Sequence, residues 1–223
     1  MARPRKTEHN KEIILAKGID LLCEQGYNGT GLKQILDAVQ VPKGSFYHYF
    51  ESKEVYAAQV IELYIERLLS AFDNYLKYAT DRPLEVIKQL YQWMAMDFQR
   101  KQCKEGCLLG SLAAEIGSSS ELCQQAMVKA YDQWQQRFVP LLVAGQNAGE
   151  VRQDIPAELL AETFWNAWEG SILRCLLFTS DAASEEDSVY IGGRRFIKKK
   201  TKNEHSIAQR GQNAITTKID KSM

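Results

Sequence analysis

The sequence predicts an all-α fold, and three features carry that expectation. Apolar residues recur at helical spacing almost without interruption from Ile13 to Leu177. The breaks in that pattern fall on Gly, Pro and Ser groups that end or start helices. No run of alternating apolar and polar residues suggests a strand.

The elements follow in order. Glu8 to Gln25 carries Ile13, Ile14, Leu15, Ala16, Ile19, Leu22 and Cys23 near a 3.6-residue period, and Gly26 ends that helix. Thr30 is placed to cap a short helix, Leu32 to Val39, by accepting a backbone N–H bond. Gln40, Val41 and Pro42 make a turn, and Lys43 to Phe50 forms a third helix whose start tolerates proline. Ser52 caps a long fourth helix from Lys53 towards Tyr78. Asp81-Arg82-Pro83 precedes a helix from Leu84 to Phe98, and Gly106 precedes one from Cys107 to Ile116. Ser120 caps Glu121 to Ala144, and Ala157 to Leu177 closes the helical series. From Thr179 the chain turns to Ser, Asp, Glu, Gly and Lys with no persistent apolar period, so disorder is expected there.

Composition narrows the function. The 223 residues are 45% hydrophobic and 25% charged with zero formal net charge, an ordinary globular balance. Coating nucleic acid by bulk charge is excluded, whereas a local basic surface is not. No apolar stretch long enough for a membrane span or a secretory leader occurs, which points to the cytoplasm. Five cysteines, an odd number, argue against a disulfide framework. No cofactor or metal site is expected, because Cys103 and Cys107 have no further Cys or His beside them, and His9, His48 and His205 are scattered. The same lack of a positioned histidine near Cys107 argues against a thiol enzyme.

Two short helices across a tight turn form a helix-turn-helix, whose second helix enters the DNA major groove. Lys43 suits a phosphate, and Gly44 lets backbone approach closely. Ser45, Tyr47, His48 and Tyr49 offer groups that reach phosphates or base edges. Phe46 and Phe50, four apart, face inward. Lys53 sits where it can close over the DNA backbone, and Arg3, Arg5 and Lys6 form a basic arm.

The ungapped run from Gly26 through Tyr27, Asn28, Gly29 and Thr30 to Leu36, and on through Val41-Pro42-Lys43-Gly44-Ser45-Phe46-Tyr47-His48-Tyr49-Phe50 to Glu54, resembles the TetR family of bacterial repressors. The resemblance implies a helix-turn-helix domain over residues 1–52 and a helical effector-binding and dimerisation domain over 53–177, with 178–223 a non-family tail. It puts DNA contacts at Thr30, Lys43, Gly44, Ser45, Tyr47, His48, Tyr49 and Lys53. It implies a homodimer on a palindromic operator, released by an inducer. The run Glu105-Gly106-Cys107-Leu108-Leu109-Gly110-Ser111-Leu112-Ala113-Ala114-Glu115 is similar to the branch that responds to electrophiles, quinones, bleach-type oxidants or acrylate, in which the residue matching Cys107 is the sensor of some members.

Two readings of Cys107 stand: a thiolate favoured by a helix N-terminus, with Lys101 and Lys104 near in sequence, or a small packing residue. Cys123 is a candidate disulfide partner for it. Trp93, Met96, Phe98, Trp134, Phe138, Phe164 and Trp168 either line an effector pocket or are plain core. A noncovalent acrylate-like ligand is the alternative to an electrophile. The resemblance fades after Arg174, and a regulator with a replaced C-terminus and weakened dimerisation is the remaining alternative.

Overall fold

The computed structural model describes residues 6–79, 82–101, 106–178, 190–191 and 194–195. Helix α1 spans Lys6–Gly29 and bends at Gly26, which takes φ 70°. That left-handed conformation is open to glycine at little cost. Helix α2 spans Leu32–Ala38. A turn with Gln40 at φ 56° leads into a 3₁₀ turn, Lys43–Ser45, and helix α3, Phe46–Tyr49. Helix α4 is Lys53–Leu76, α5 Pro83–Arg100, α6 Leu108–Ile116, α7 Glu121–Asn147 and α8 Ala157–Phe178.

Local chemistry sets these ends. Ser52 Oγ accepts from Val55 N at 3.1 Å, and Ser120 Oγ accepts from Cys123 N at 3.4 Å, so both serines cap as their positions suggest. Pro83 opens α5, where its missing N–H leaves no bond unmade. Glu150, from the α7–α8 connection, accepts from Leu84 N at 3.0 Å and pairs with Arg82 at 3.3 Å, a carboxylate at the positive end of α5.

Helices α4 and α7 lie along each other at the centre of the effector region. Tyr56, Val60, Ile61, Ile65, Leu69 and Phe72 of α4 repeat at three- and four-residue spacing and are buried, as are Cys123, Met127, Ala130, Trp134, Phe138 and Leu142 of α7. Helices α5 and α8 cover α7, while α1 packs on both α4 and α6. One continuous apolar core therefore runs from Ile14 in α1 to Ile172 in α8.

Three expectations change. Gly31, with no side-chain bond, is the N-cap of α2, so Thr30 does not cap that helix. The Lys43–Phe50 helix is divided into a 3₁₀ turn and a four-residue α-helix, and Phe50 is already extended. Within the expected disordered tail, Tyr190–Ile191 (β1) pairs antiparallel with Arg194–Arg195 (β2); the rest of 179–223 lies outside the described residues. No described helix is long and apolar enough to cross a membrane.

Candidate nucleic-acid interface and effector core

The reading segment is anchored from inside. Phe46 and Phe50 are fully buried, with ring centroids 5.1 Å apart, and both pack edge-on against Tyr56, at 5.5 and 5.0 Å. Tyr56 in turn donates its hydroxyl to Ile14 O at 3.0 Å, in a notch where a Cβ on Gly18 would lie 2.0 Å from Tyr56 Oη. Thus α1 and α4 together hold the inner face of α3.

The outer face is unencumbered. Tyr47 is 62% exposed, and His48 and Gly44 are exposed beside it. Ser45 and Tyr49 are half-buried, and Tyr49 Oη accepts from Asn10 Nδ2 at 3.4 Å. A Cβ at Gly44 would meet nothing within 4 Å, so the chain itself makes no demand for glycine there. The backbone of Lys43 opens the 3₁₀ turn, but its side chain, like Arg3 and Arg5, lies outside the described residues.

Two sequence candidates turn inward instead. Thr30 is fully buried and donates its hydroxyl to Gly26 O at 2.7 Å and to Leu21 O at 3.1 Å, closing the end of α1. Its side chain is therefore not on the outer face. Lys53 donates Nζ to Tyr27 O at 2.6 Å and lies 4.1 Å over the Tyr27 ring. Burial lowers its pKa, against the charge of Glu115, which raises it. In this conformation the ammonium ties α4 to α1 rather than reaching away from the protein.

The core between α5, α7 and α8 is aromatic. Trp134 and Phe138 of α7 stack at 4.7 Å, Phe138 meets Phe164 of α8 at 4.7 Å, and Trp134 meets Trp165 at 4.7 Å. Tyr91 of α5 packs on Phe164 and Trp168 at 5.7 and 5.4 Å. Trp134, Phe138, Phe164 and Trp168 thus come together, with Tyr91, Tyr131 and Trp165 added. Phe98 packs against the apolar core. Tyr91 lies on the inner phase of α5 with Val86, Ile87 and Leu90; Met96 is off that phase and 46% exposed, while Trp93, seven residues after Val86, sits half-buried at its edge. A cleft of about 520 Å³ lies elsewhere, on the α4–α7 surface. It is polar, flanked by Lys129–Glu62 and Arg137–Asp73 ion pairs at 3.3 and 3.2 Å.

Cys107 is the N-cap of α6 and only 8% exposed. Its Sγ lies 3.8 Å from Tyr64 Oη, and the Glu169 carboxyl of α8 lies close enough to act on it electrostatically. Burial, then the charge of Glu169, push the thiol pKa well above its ordinary value. This corrects the thiolate expectation: the helix terminus is outweighed, and the thiol is held neutral. Glu169 is itself raised by burial, and its Oε1 is buried without a hydrogen-bond partner. Of the two lysines expected to help, Lys101 is paired with Asp97 at 3.5 Å, and Lys104 lies outside the described residues. Cys23, Cys107, Cys123 and Cys175 are free thiols; Cys123 donates to Glu54 O at 3.6 Å, so its partner is α4 and not Cys107. Cys103 lies outside the described residues.

Comparison with known proteins gives two family matches. Residues 14–56 match "Bacterial regulatory proteins, tetR family", and residues 83–188 match "Tetracyclin repressor-like, C-terminal domain". The chain is 31% identical over 174 residues to the HTH-type transcriptional repressor DhaR of Mycobacterium sp. (strain GP1), covering 78% of this chain and 84% of the relative. It is 34% identical over 166 residues to the transcriptional regulator AcuR of Cereibacter sphaeroides, covering 74% and 76%. The reduced form of Escherichia coli NemR superposes with a TM-score of 0.69 at 27% identity, covering 76% of this chain and 88% of that one.

Proposed function

The chain belongs to the TetR family of DNA-binding transcription regulators, and from that premise we propose that it is a homodimeric repressor released from a palindromic operator by a small-molecule inducer. One observation carries the reading: a face of exposed Gly44, Tyr47 and His48 stands on an inner face locked by Phe46, Phe50 and Tyr56. Rigid support with free polar groups outside is what direct readout of base edges needs. The proposed contacts are Lys43, Gly44, Ser45, Tyr47, His48 and Tyr49; Thr30 and Lys53 support them from behind. Leu159 and Leu173, half-exposed or more on α8, supply apolar surface for the second copy.

The inducer is a small apolar or α,β-unsaturated carbonyl compound entering the aromatic core between α5, α7 and α8. The neutral, buried Cys107 favours noncovalent recognition in the resting chain; covalent sensing requires the Glu169 contact to open first. Selecting bound duplexes from a random pool tests the first part. A palindrome with half-sites about one helical turn apart is the expected result, and reports the dimer as well; no enrichment overturns it. Release of that duplex by an acrylate-type compound in both the parent and Cys107→Ser supports the noncovalent route, whereas release lost in Cys107→Ser assigns it to the thiol.

A further inference from the structure

Besides packing along α1, helix α6 holds the end of that helix through one carboxylate. Glu115 Oε1 accepts from Tyr27 N at 3.2 Å, and Oε2 accepts from Asn28 N at 2.8 Å. Two successive N–H groups after a positive-φ residue form a concavity suited to an anion. Gly26 makes the approach possible twice over: it takes φ 70°, and a Cβ there would sit 1.9 Å from Glu115 Oε1. The carbonyl of Tyr27 is taken from the other side by Lys53 Nζ of α4. Tyr27 is therefore the point where three helices are tied, its N–H to α6 and its C=O to α4.

The other end of α6 faces the effector core. Cys107 caps it, Gly106 N donates to Cys23 O of α1 at 3.3 Å, and Glu169 of α8 seats on Gly110, where a Cβ would lie 2.2 Å from Oε2. Cys107 and Glu115 are eight residues apart, about 12 Å along a helix. One short rigid rod thus bears on α8 at one end and on the bend before α2 at the other.

We propose that Glu115 is the positioning residue that fixes the helix-turn-helix against α6. With the carboxylate on Tyr27 and Asn28 the bend before α2 is held in place; without it the reading domain is free to turn. This rests on the repressor reading and names a contact that operator binding depends on.

The test uses the full chain, the duplex selected by the parent protein, and the variants Glu115→Ala and Glu115→Gln. Operator affinity is measured alongside amide hydrogen exchange. Glu115→Ala is expected to weaken binding about tenfold, the scale of losing charge-assisted bonds. Exchange at Tyr27 and Asn28 accelerates while α4 and α7 stay protected. Glu115→Gln keeps one acceptor oxygen and falls between. Binding within twofold of the parent overturns the proposal, whether or not exchange accelerates. So does a loss of binding matched by lost protection throughout α4 and α7, which marks a folding defect. If the parent selects no DNA, the repressor reading fails, and the exchange data alone judge the clamp: unchanged protection at Tyr27 and Asn28 overturns it.

Discussion

The reading segment and the effector core use aromatic residues in opposite ways. In α3, Phe46 and Phe50 close the inner face so that Tyr47 and His48 stand free outside. Between α5, α7 and α8, Trp134, Phe138, Phe164 and Trp168 close on one another. A partner as large as DNA binds outside the chain, so its surface is complete before it arrives. On the proposed reading a small molecule is enclosed, and the space it fills is made from side chains that pack together in its absence.

The largest test of that contrast removes the anchor. Phe46→Ala is expected to cost about 3–5 kcal/mol in denaturant unfolding, the range for a buried aromatic ring. A cost below about 1 kcal/mol would mean that the outer face does not depend on the inner one. A smaller effect probes the closure of the core. Because the folded thiol pKa lies above its ordinary value, thiolate is scarce at pH 7 and does not become abundant by pH 9. Iodoacetamide should therefore modify Cys107 more slowly than a free cysteine throughout pH 7–9, as followed by mass spectrometry. Glu169→Gln removes the neighbouring charge, so the rate should rise several-fold; an unchanged rate would leave burial as the whole cause. The smallest effect is on stability. Gly44→Ala should change it by no more than about 0.5 kcal/mol, since the added methyl enters open space, yet weaken operator binding measurably. Equal affinity would remove Gly44 from the interface.

The helical frame was legible because its signals are local. Ser52, Ser120 and Pro83 mark helix starts, and Gly26 a bend shortly before the end of α1, through bonds or dihedrals within a few residues of themselves. Phe46 and Phe50 were legible inward by their spacing. What escaped depends on distant partners. Thr30 looks like a cap for the helix after it, but its hydroxyl finds carbonyls of the helix before it. Cys107 looks like a thiolate until Glu169, remote in sequence, is placed beside it. Met96 was chosen for residue type, whereas helix phase turns it outward. Glu115 ends the distinctive run that begins at Glu105, but only the fold brings it to Tyr27.

The bend at Gly26 also bears on protein engineering. A helix-turn-helix is an attractive cassette for rewiring which genes a sensor controls, and the Ser52–Lys53 junction is the obvious place to cut. Yet Gly26 and Tyr27 on the cassette meet Glu115 and Lys53 on the chassis. A graft that brings a larger residue at position 26 would collide with the Glu115 carboxylate. A workable chimera therefore takes its seam as a matched set of positions 18, 26, 53, 56 and 115, not as a single point in the chain.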